Sequence, residues 1–300
     1  MLIHIFVSMK QLISTLIFCI SQLGAHAQES LFLSPDAKSM GMGGVTMTTL
    51  SASHALYNNA AMAAFSTSPL QISSSYYKQG DYDFYSVTGT GRFRQNNLAH
   101  IGWRQYLREK GNNDKSVDMG YTRRIGTDWG IGIVARYTHL KRYDEKANSL
   151  AFDLSAAWSH PLENIGSYST LRVGAKVAGI GGYFQHTDYE LPVNCSAGIA
   201  WDTYLTDAHE ITIGTDFGYF FNPSVVHGFQ WSIGAEYNLM QFFQFRAGYH
   251  YGDRRRYYPC YTSVGAGVRF LHLRLDFAYL FAGRDTAFHN TYSFSFGLDF

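Results

Sequence analysis

The chain has little of several things, and each shortage excludes something. Nowhere among its 300 residues are there 18 uninterrupted apolar residues, so the sequence offers no α-helix able to cross a bilayer. Six prolines are few for this length, and their scarcity leaves long strands unbroken. Charged residues make up 16% and the formal net charge is +1, so bulk attraction to nucleic acid or acidic polymers is not expected. There are three cysteines: Cys19 near the start, then Cys195 and Cys260. The last two fall four strands apart in the map below and are expected to be free thiols near one rim. HExxH, CxxC and a phosphate loop are all missing. None of the 12 histidines stands in a catalytic spacing with Ser, Asp or Glu. The sequence therefore predicts no enzyme, no metal and no cofactor.

What is abundant is aromatic residues. Twenty-two Tyr, 22 Phe and 5 Trp reach 16%, the same fraction as all charges, and glycine is high at 29. Such a composition suits strands with one face in lipid, aromatic girdles and a small-residue interior. The start reads as an export signal. Lys10 precedes an apolar run from Leu12 to Leu23, and Ala25-His26-Ala27 is a small-x-small cleavage site. Residues 1–27 are expected to be a cleaved signal peptide, with Met9 as the true start. Phe18 argues against lipidation at Cys19.

From Pro69 onward, alternating segments recur about every 16 residues. Fourteen can be counted, from Pro69–Tyr77 to Asn290–Phe300, an even number as a closed single-chain barrel requires. The last is the most regular: Tyr292, Phe294, Phe296, Leu298 and Phe300 share one face, against Ser293, Ser295, Gly297 and Asp299. Phe296, Leu298 and Phe300 resemble the closing signal of bacterial outer-membrane barrels. The opposite faces carry Arg136, Arg172, Lys176, Arg246, Arg269 and Arg274 with Asp118, Asp153, Asp216, Glu236 and Asp276. At a lipid midplane each Arg would cost roughly 2–4 kcal/mol, so this face must be the lumen. There the charges are expected to pair across the lumen or to be solvated. The predicted fold is all-β: a transmembrane antiparallel β-barrel of about 14 strands over 69–300. Residues 28–68 are predicted to fold into the lumen. Connections after odd strands should face outward and be long; two on the other rim, PLENIGSY and TYLTDAH, read as longer than expected.

The segment before the strands carries a resemblance. Pro35, Asp36, Ala37, Lys38, Gly41, Met42, Gly43 and Gly44, followed by Asn59 and Ala61, resemble the opening of the PorV/PorQ family. These are FadL-related outer-membrane proteins of the type IX secretion system in Bacteroidetes. Ala60 stands where the family has Pro, and the match covers about 30 residues. The resemblance implies a FadL-like barrel in the outer membrane of a Gram-negative bacterium, with lipid around it. It implies a non-enzymatic role in type IX secretion: taking cargo, through cargo C-terminal domains, from the large translocon barrel towards surface attachment. The alternative is a FadL-like transporter of hydrophobic small molecules, which the polar lumen face disfavours. Arg254, Arg255 and Arg256 form the strongest local charge feature and are a candidate outer-loop contact for a partner or for lipopolysaccharide phosphates.

Overall fold

The computed structural model describes residues 33–107, 113–142, 145–162, 168–184, 190–224, 226–252, 259–284, 286 and 288–300. The first strands are β1 (Leu70–Gln79), β2 (Tyr82–Phe93), β3 (Asn97–Leu107), β4 (Asn113–Ile125) and β5 (Trp129–Arg142). They are followed by β6 (Glu145–Leu162), β7 (Tyr168–Tyr183), β8 (Asn194–Thr206), β9 (His209–Phe220) and β10 (Gly228–Leu239). The last are β11 (Phe243–Tyr251), β12 (Tyr261–Phe270), β13 (Leu273–Ala282) and β14 (Thr291–Asp299). Each pairs antiparallel with its chain neighbours, and β1 pairs with β14 to close the barrel. Closure registers Ile72 on Leu298 and Tyr76 on Phe294. The Phe300 amide donates to the Leu70 carbonyl at 2.9 Å. No sheet edge remains, which is what hydrocarbon demands of a spanning sheet.

The faces follow from period-2 alternation. On β13, Leu275, Phe277 and Phe281 point out while Arg274, Asp276 and Ala278 are buried inside. Phe296 and Phe300 are about half exposed on the outer face. A continuous belt of Ile, Phe, Trp and Tyr covers the outside; its Phe277 and Phe294 rings lie 5.0 Å apart. Only lipid removes such a belt from water, at about 25 cal/mol per Å².

One rim carries tight turns and the other longer connections. At the tight rim, Met240 (φ 54°) and Gln241 (φ 56°) take the left-handed conformation of a two-residue hairpin. TYLTDAH turns out to be tight as well. The alternation continues through Tyr204 and Thr206, so β8 and β9 lie only two residues apart, with a register shift between Tyr204 and Thr206. PLENIGSY is shortened by β6 and β7, which run to Leu162 and from Tyr168.

Residues 33–69 fold into the lumen as helix α1 (Ala37–Gly41), helix α2 (Ala52–Ala55) and a 3-10 turn over Ala60–Phe65. Helix α1 lies on β11–β14, α2 on β1 and β2, and the 3-10 turn on β3–β6. The segment thus spans the lumen as a plug.

Candidate functional site: the plug and the vestibule above it

The plug is fixed by hydrogen bonds and by a glycine track in the wall. Asp36 caps α1. It accepts from the Ser39 amide at 2.7 Å, from Asn58 Nδ2 at 2.8 Å and from Ser34 Oγ at 2.6 Å. The Ala37 amide donates to Ser295 Oγ at 2.9 Å, and Lys38 Nζ reaches Glu236 Oε1 at 3.1 Å. The Gly43 amide donates to Ser263 Oγ at 2.9 Å. Asn59 Nδ2 donates to the Met47 carbonyl at 2.8 Å, while its Oδ1 accepts from the Ala61 amide at 3.1 Å. Two wall groups hold the far end: Thr122 Oγ1 donates to the Ala60 carbonyl at 2.7 Å, and Ser155 Oγ accepts from the Ala61 amide at 3.2 Å.

Between these anchoring side chains, glycines of the wall let the plug backbone approach closely. Gly214, Gly234 and Gly248 are register neighbours on β9, β10 and β11. Gly174 and Gly198 pair on β7 and β8. Any Cβ on Gly234 or Gly248 would enter the backbone of Met42 or Gly43; on Gly174 it would enter the Met47 carbonyl, and on Gly198 the Asp216 carboxylate with Met47 beside it. Gly102 and Gly120 admit Leu56, and Gly130 and Gly132 admit Ala61. Gly43 itself sits at φ +69°, and a Cβ there would stand 2.5 Å from the Tyr249 amide nitrogen. Only glycine fits both demands.

The inward charges do not bridge the lumen. They run sideways around the wall in two ladders. In the first, Asp118 takes Arg104 at 3.5 Å and Arg136 at 2.7 Å, and Arg136 also reaches Asp153 at 3.0 Å. In the second, Arg246 bonds Glu236 and reaches Asp276 at 2.7 Å; Arg274 then links Asp276 to Asp299 at 3.5 and 3.6 Å. Adjacent strands are about 4.8 Å apart, whereas the plug fills the middle. Lateral pairing was therefore the only short route. Arg172 pairs with Asp202 on the neighbouring strand. Asp216 is used differently: its Oδ2 accepts the Thr46 and Met47 amides at 2.5 and 2.9 Å.

Above the plug, at the rim of longer connections, a vestibule of about 140 Å³ remains between the plug and the wall from β3 round to β12. Its floor is Leu33, Pro35, Met40, Met47, Tyr57 and Asn58. Its wall includes Arg104, Arg136, Ser149, Asp153, Lys176, Asn194, Asp216 and Gln230. The connection from β7 to β8 contributes Leu191 and Pro192. Beside it the β6–β7 ladder breaks at a bulge between Phe152 and Leu154. There Gly179 (φ +78°) turns its amide to Asp153 Oδ1 at 2.9 Å. Lys176 Nζ donates to the Tyr57 carbonyl at 3.1 Å, and Arg104 covers the Tyr57 ring at 4.9 Å. Burial, with Asp118 adding to it, holds the Tyr57 phenol well above its ordinary value, so it is a neutral hydroxyl.

The structure places the motif residues Asp36, Ala37, Lys38, Gly41, Met42, Gly43, Gly44, Asn59 and Ala61 at the contacts that seat the plug, and Pro35 on the vestibule floor. Phe296 and Leu298 stand apart, on the closing strand, with Phe300 just past its end. Residues 1–27 and Arg254, Arg255 and Arg256 lie outside the described residues. Cys195 and Cys260 are free. His250 faces inward, bonds Ser232 at 2.8 Å and stacks on Tyr261. No group of three His, Cys, Asp or Glu side chains able to hold a metal occurs among the described residues. Sequence reasoning did not find the vestibule residues Tyr57, Ser149, Asn194 and Gln230. The one available signal was the row of inward glycines, which marks where the plug runs and, by their end, where it stops.

The sequence matches no protein-family model and no curated protein. Solved structures do match. The P. putida toluene transporter TodX is 12% identical, covers 90% of this chain and 99% of its own, and superposes with a TM-score of 0.60. The CymD monoaromatic hydrocarbon channel gives 10%, 90%, 98% and 0.57. A Pseudomonas aeruginosa FadL homologue gives 10%, 90%, 99% and 0.53. At this identity the likeness is one of fold: a 14-stranded FadL-like barrel.

Proposed function

We propose that this chain is an outer-membrane barrel that admits small molecules with an apolar body from outside and holds them on the plug. The observation that carries the reading is the vestibule. It is enclosed by plug and wall, lies at the rim of longer connections, and is of a size for a small molecule. The proteins of like fold named above are a toluene transporter and a monoaromatic hydrocarbon channel, which supports the same class. The leader 1–27 would deliver the chain for export, and membrane lipid would surround the belt. Catalysis plays no part in this reading.

The type IX secretion reading keeps one specific observation, the motif at residues 35–61. Apart from Pro35, which lines the vestibule, the motif residues have structural tasks in seating the plug, so the motif is accounted for by architecture whichever function the barrel serves. It therefore does not weigh for cargo transfer, the translocon barrel or cargo C-terminal domains over transport.

Two measurements test this. Uptake of radiolabelled toluene by host cells should fall on deletion of the gene and return with the full chain; unchanged uptake would count against transport. Mass spectrometry of what co-purifies from mildly solubilised outer membranes is the second. Recovery of a very large translocon barrel, or of exported proteins sharing a C-terminal domain, would move the assignment to secretion.

A further inference from the structure

Four arginines meet at one corner of the tight rim. Arg92 stands at the end of β2, Arg94 in the turn to β3, and Arg123 and Arg124 at the end of β4. The corner is continuous: Phe93, Asn97 and Arg123 lie in register across β2, β3 and β4, and the Arg124 amide donates to the Asn96 carbonyl at 2.8 Å. Two of the four are committed where the plug ends. Arg92 bonds the Ser66 and Gln95 carbonyls; Arg124 bonds the Thr127 carbonyl and covers the Phe65 ring at 5.7 Å. The other two, Arg94 and Arg123, are exposed, and their guanidinium groups have no partner among the described residues. The neighbouring carboxylates are taken: Asp128 bonds His160 at 2.7 Å, and Asp299, at the end of β14, faces Arg274 at 3.6 Å. The corner therefore carries an excess of positive charge.

Arg123 also departs from the rule that sends arginine inward. Burial alternates along β4, so Arg123 shares the outward face with Val117, Met119, Tyr121 and Ile125. Its register neighbour on β5 is Ile131, which is exposed as well. The Tyr121 ring lies 6.3 Å from Phe93, and Trp129 opposes Ile125. Tyr and Trp mark the level of the lipid headgroups. An unpartnered guanidinium at that level calls for an anion, and the anion supplied there is a lipid phosphate, which arginine takes in bidentate fashion. Strands about 4.8 Å apart place Phe93, which Arg94 follows, about 10 Å from Arg123, a gap that two arginine side chains bridge to one phosphate. Tight turns face the periplasm, so the lipid belongs to the inner leaflet. A zwitterionic headgroup would bring a further cation to four arginines. We propose that this corner binds the phosphate of an anionic phospholipid through Arg94 and Arg123, with the acyl chains along Tyr121, Met119 and Ile101. The proposal rests on the barrel's place in the outer membrane and is independent of what enters the lumen.

The test is native mass spectrometry of the full chain in neutral detergent, titrated with phosphatidylglycerol or with phosphatidylcholine of the same acyl chains. The parent should hold phosphatidylglycerol at least about 10-fold more tightly. Arg94→Gln and Arg123→Gln should each weaken that binding roughly 5-fold, and together they should remove the preference. Neither side chain touches the plug, and folding of the variants is checked by heat-modifiable migration in gels. Lys115 and Lys141 are exposed cations near the opposite rim. Lys115→Gln with Lys141→Gln should leave the preference intact, which separates a site from bulk charge. A preference that survives loss of both arginines, or that falls as far with the two lysines, would overturn the proposal. So would equal binding of the two lipids by the parent. Retention of hexaglutamate in place of either lipid would also overturn it and give the corner to an acidic protein partner. Toluene uptake is measured apart, so none of these outcomes decides the transport reading.

Discussion

The lumen wall has two sectors that treat the plug differently. Along β10–β14 the plug is pressed onto glycine, and every nearby charge is spoken for: Lys38 and Arg246 share Glu236, and Arg246 and Arg274 share Asp276. Along β5–β9 the plug is held by hydrogen bonds to single side chains, Asp216 on the Thr46 and Met47 amides and Lys176 on the Tyr57 carbonyl, and by close approach at Met47, Asn59 and Ala61. Higher up, the wall has a bulge between Phe152 and Leu154 and a connection carrying Leu191 and Pro192 over the vestibule. One sector reads as an anchor and the other as a site. A barrel that needed only to be sealed would have closed both in the same way.

The comparison breaks most severely at Gly43. Gly43→Val places a β-branched residue at φ +69° with its Cβ against the Tyr249 backbone. Strain alone costs about 1–3 kcal/mol, and the contact adds to it, so the plug should leave its track. Single-channel recordings should show conductance that the parent barrel lacks, and protease should cut within 33–65. An unchanged, closed variant would show that the track does not seat the plug.

Next is Glu236→Ala. It leaves Lys38 buried without its partner and strips Arg246 of one of two carboxylates. Breaking a buried pair of this kind costs about 3–5 kcal/mol, shared here because Asp276 remains. Lower unfolding temperature with the barrel still able to assemble is expected. The double change Lys38→Met with Glu236→Gln should recover part of the loss. An anchor sector that tolerates Glu236→Ala without cost would erase the distinction between the two sectors.

In the open sector the expectation reverses. A Cβ on Gly179 would enter the Pro192 carbonyl, so Gly179→Ala should shift the connection that carries Leu191 and Pro192. Strain at φ +78° costs about 1–3 kcal/mol, taken up in the connection, so the barrel should still assemble while protein-dependent toluene uptake falls. Failure to assemble would mean that this sector, too, is structural.

The smallest effect is on pH. Burial holds His54 below its ordinary value, with Asp36 opposing and Arg274 adding to the shift. Burial pulls Asp36 upward, but His54, Ser34, the Ser39 amide and Asn58 outweigh it, and its net shift is downward. A folded His below its unfolded value stabilises above about pH 6.5 and is lost as the pH falls. A lowered Asp acts in the same direction below about pH 4. Docking of the plug should therefore weaken on acidification, first through His54, and His54→Gln should remove the earlier step. Protease accessibility of 33–65 against pH measures it.

The sequence by itself determined the strand count, the face of each strand, the closing strand and the polarity of the lumen. These follow from period-2 alternation, which is local, and from the cost of charge in lipid, which leaves one choice of face. The motif at residues 35–61 could be seen to matter, and its glycines to allow close approach. Whether the charges would pair sideways or across, where the plug would run, and which side chains would line the vestibule were decided only by tertiary structure. Those depend on register between strands distant in sequence and on the volume left after the plug is seated. Ser149, Asn194, Asp216 and Gln230 look like ordinary lumen residues in their own strands. They line one vestibule only when the barrel closes and the plug is seated, with Asp216 holding the Thr46 and Met47 amides at its edge.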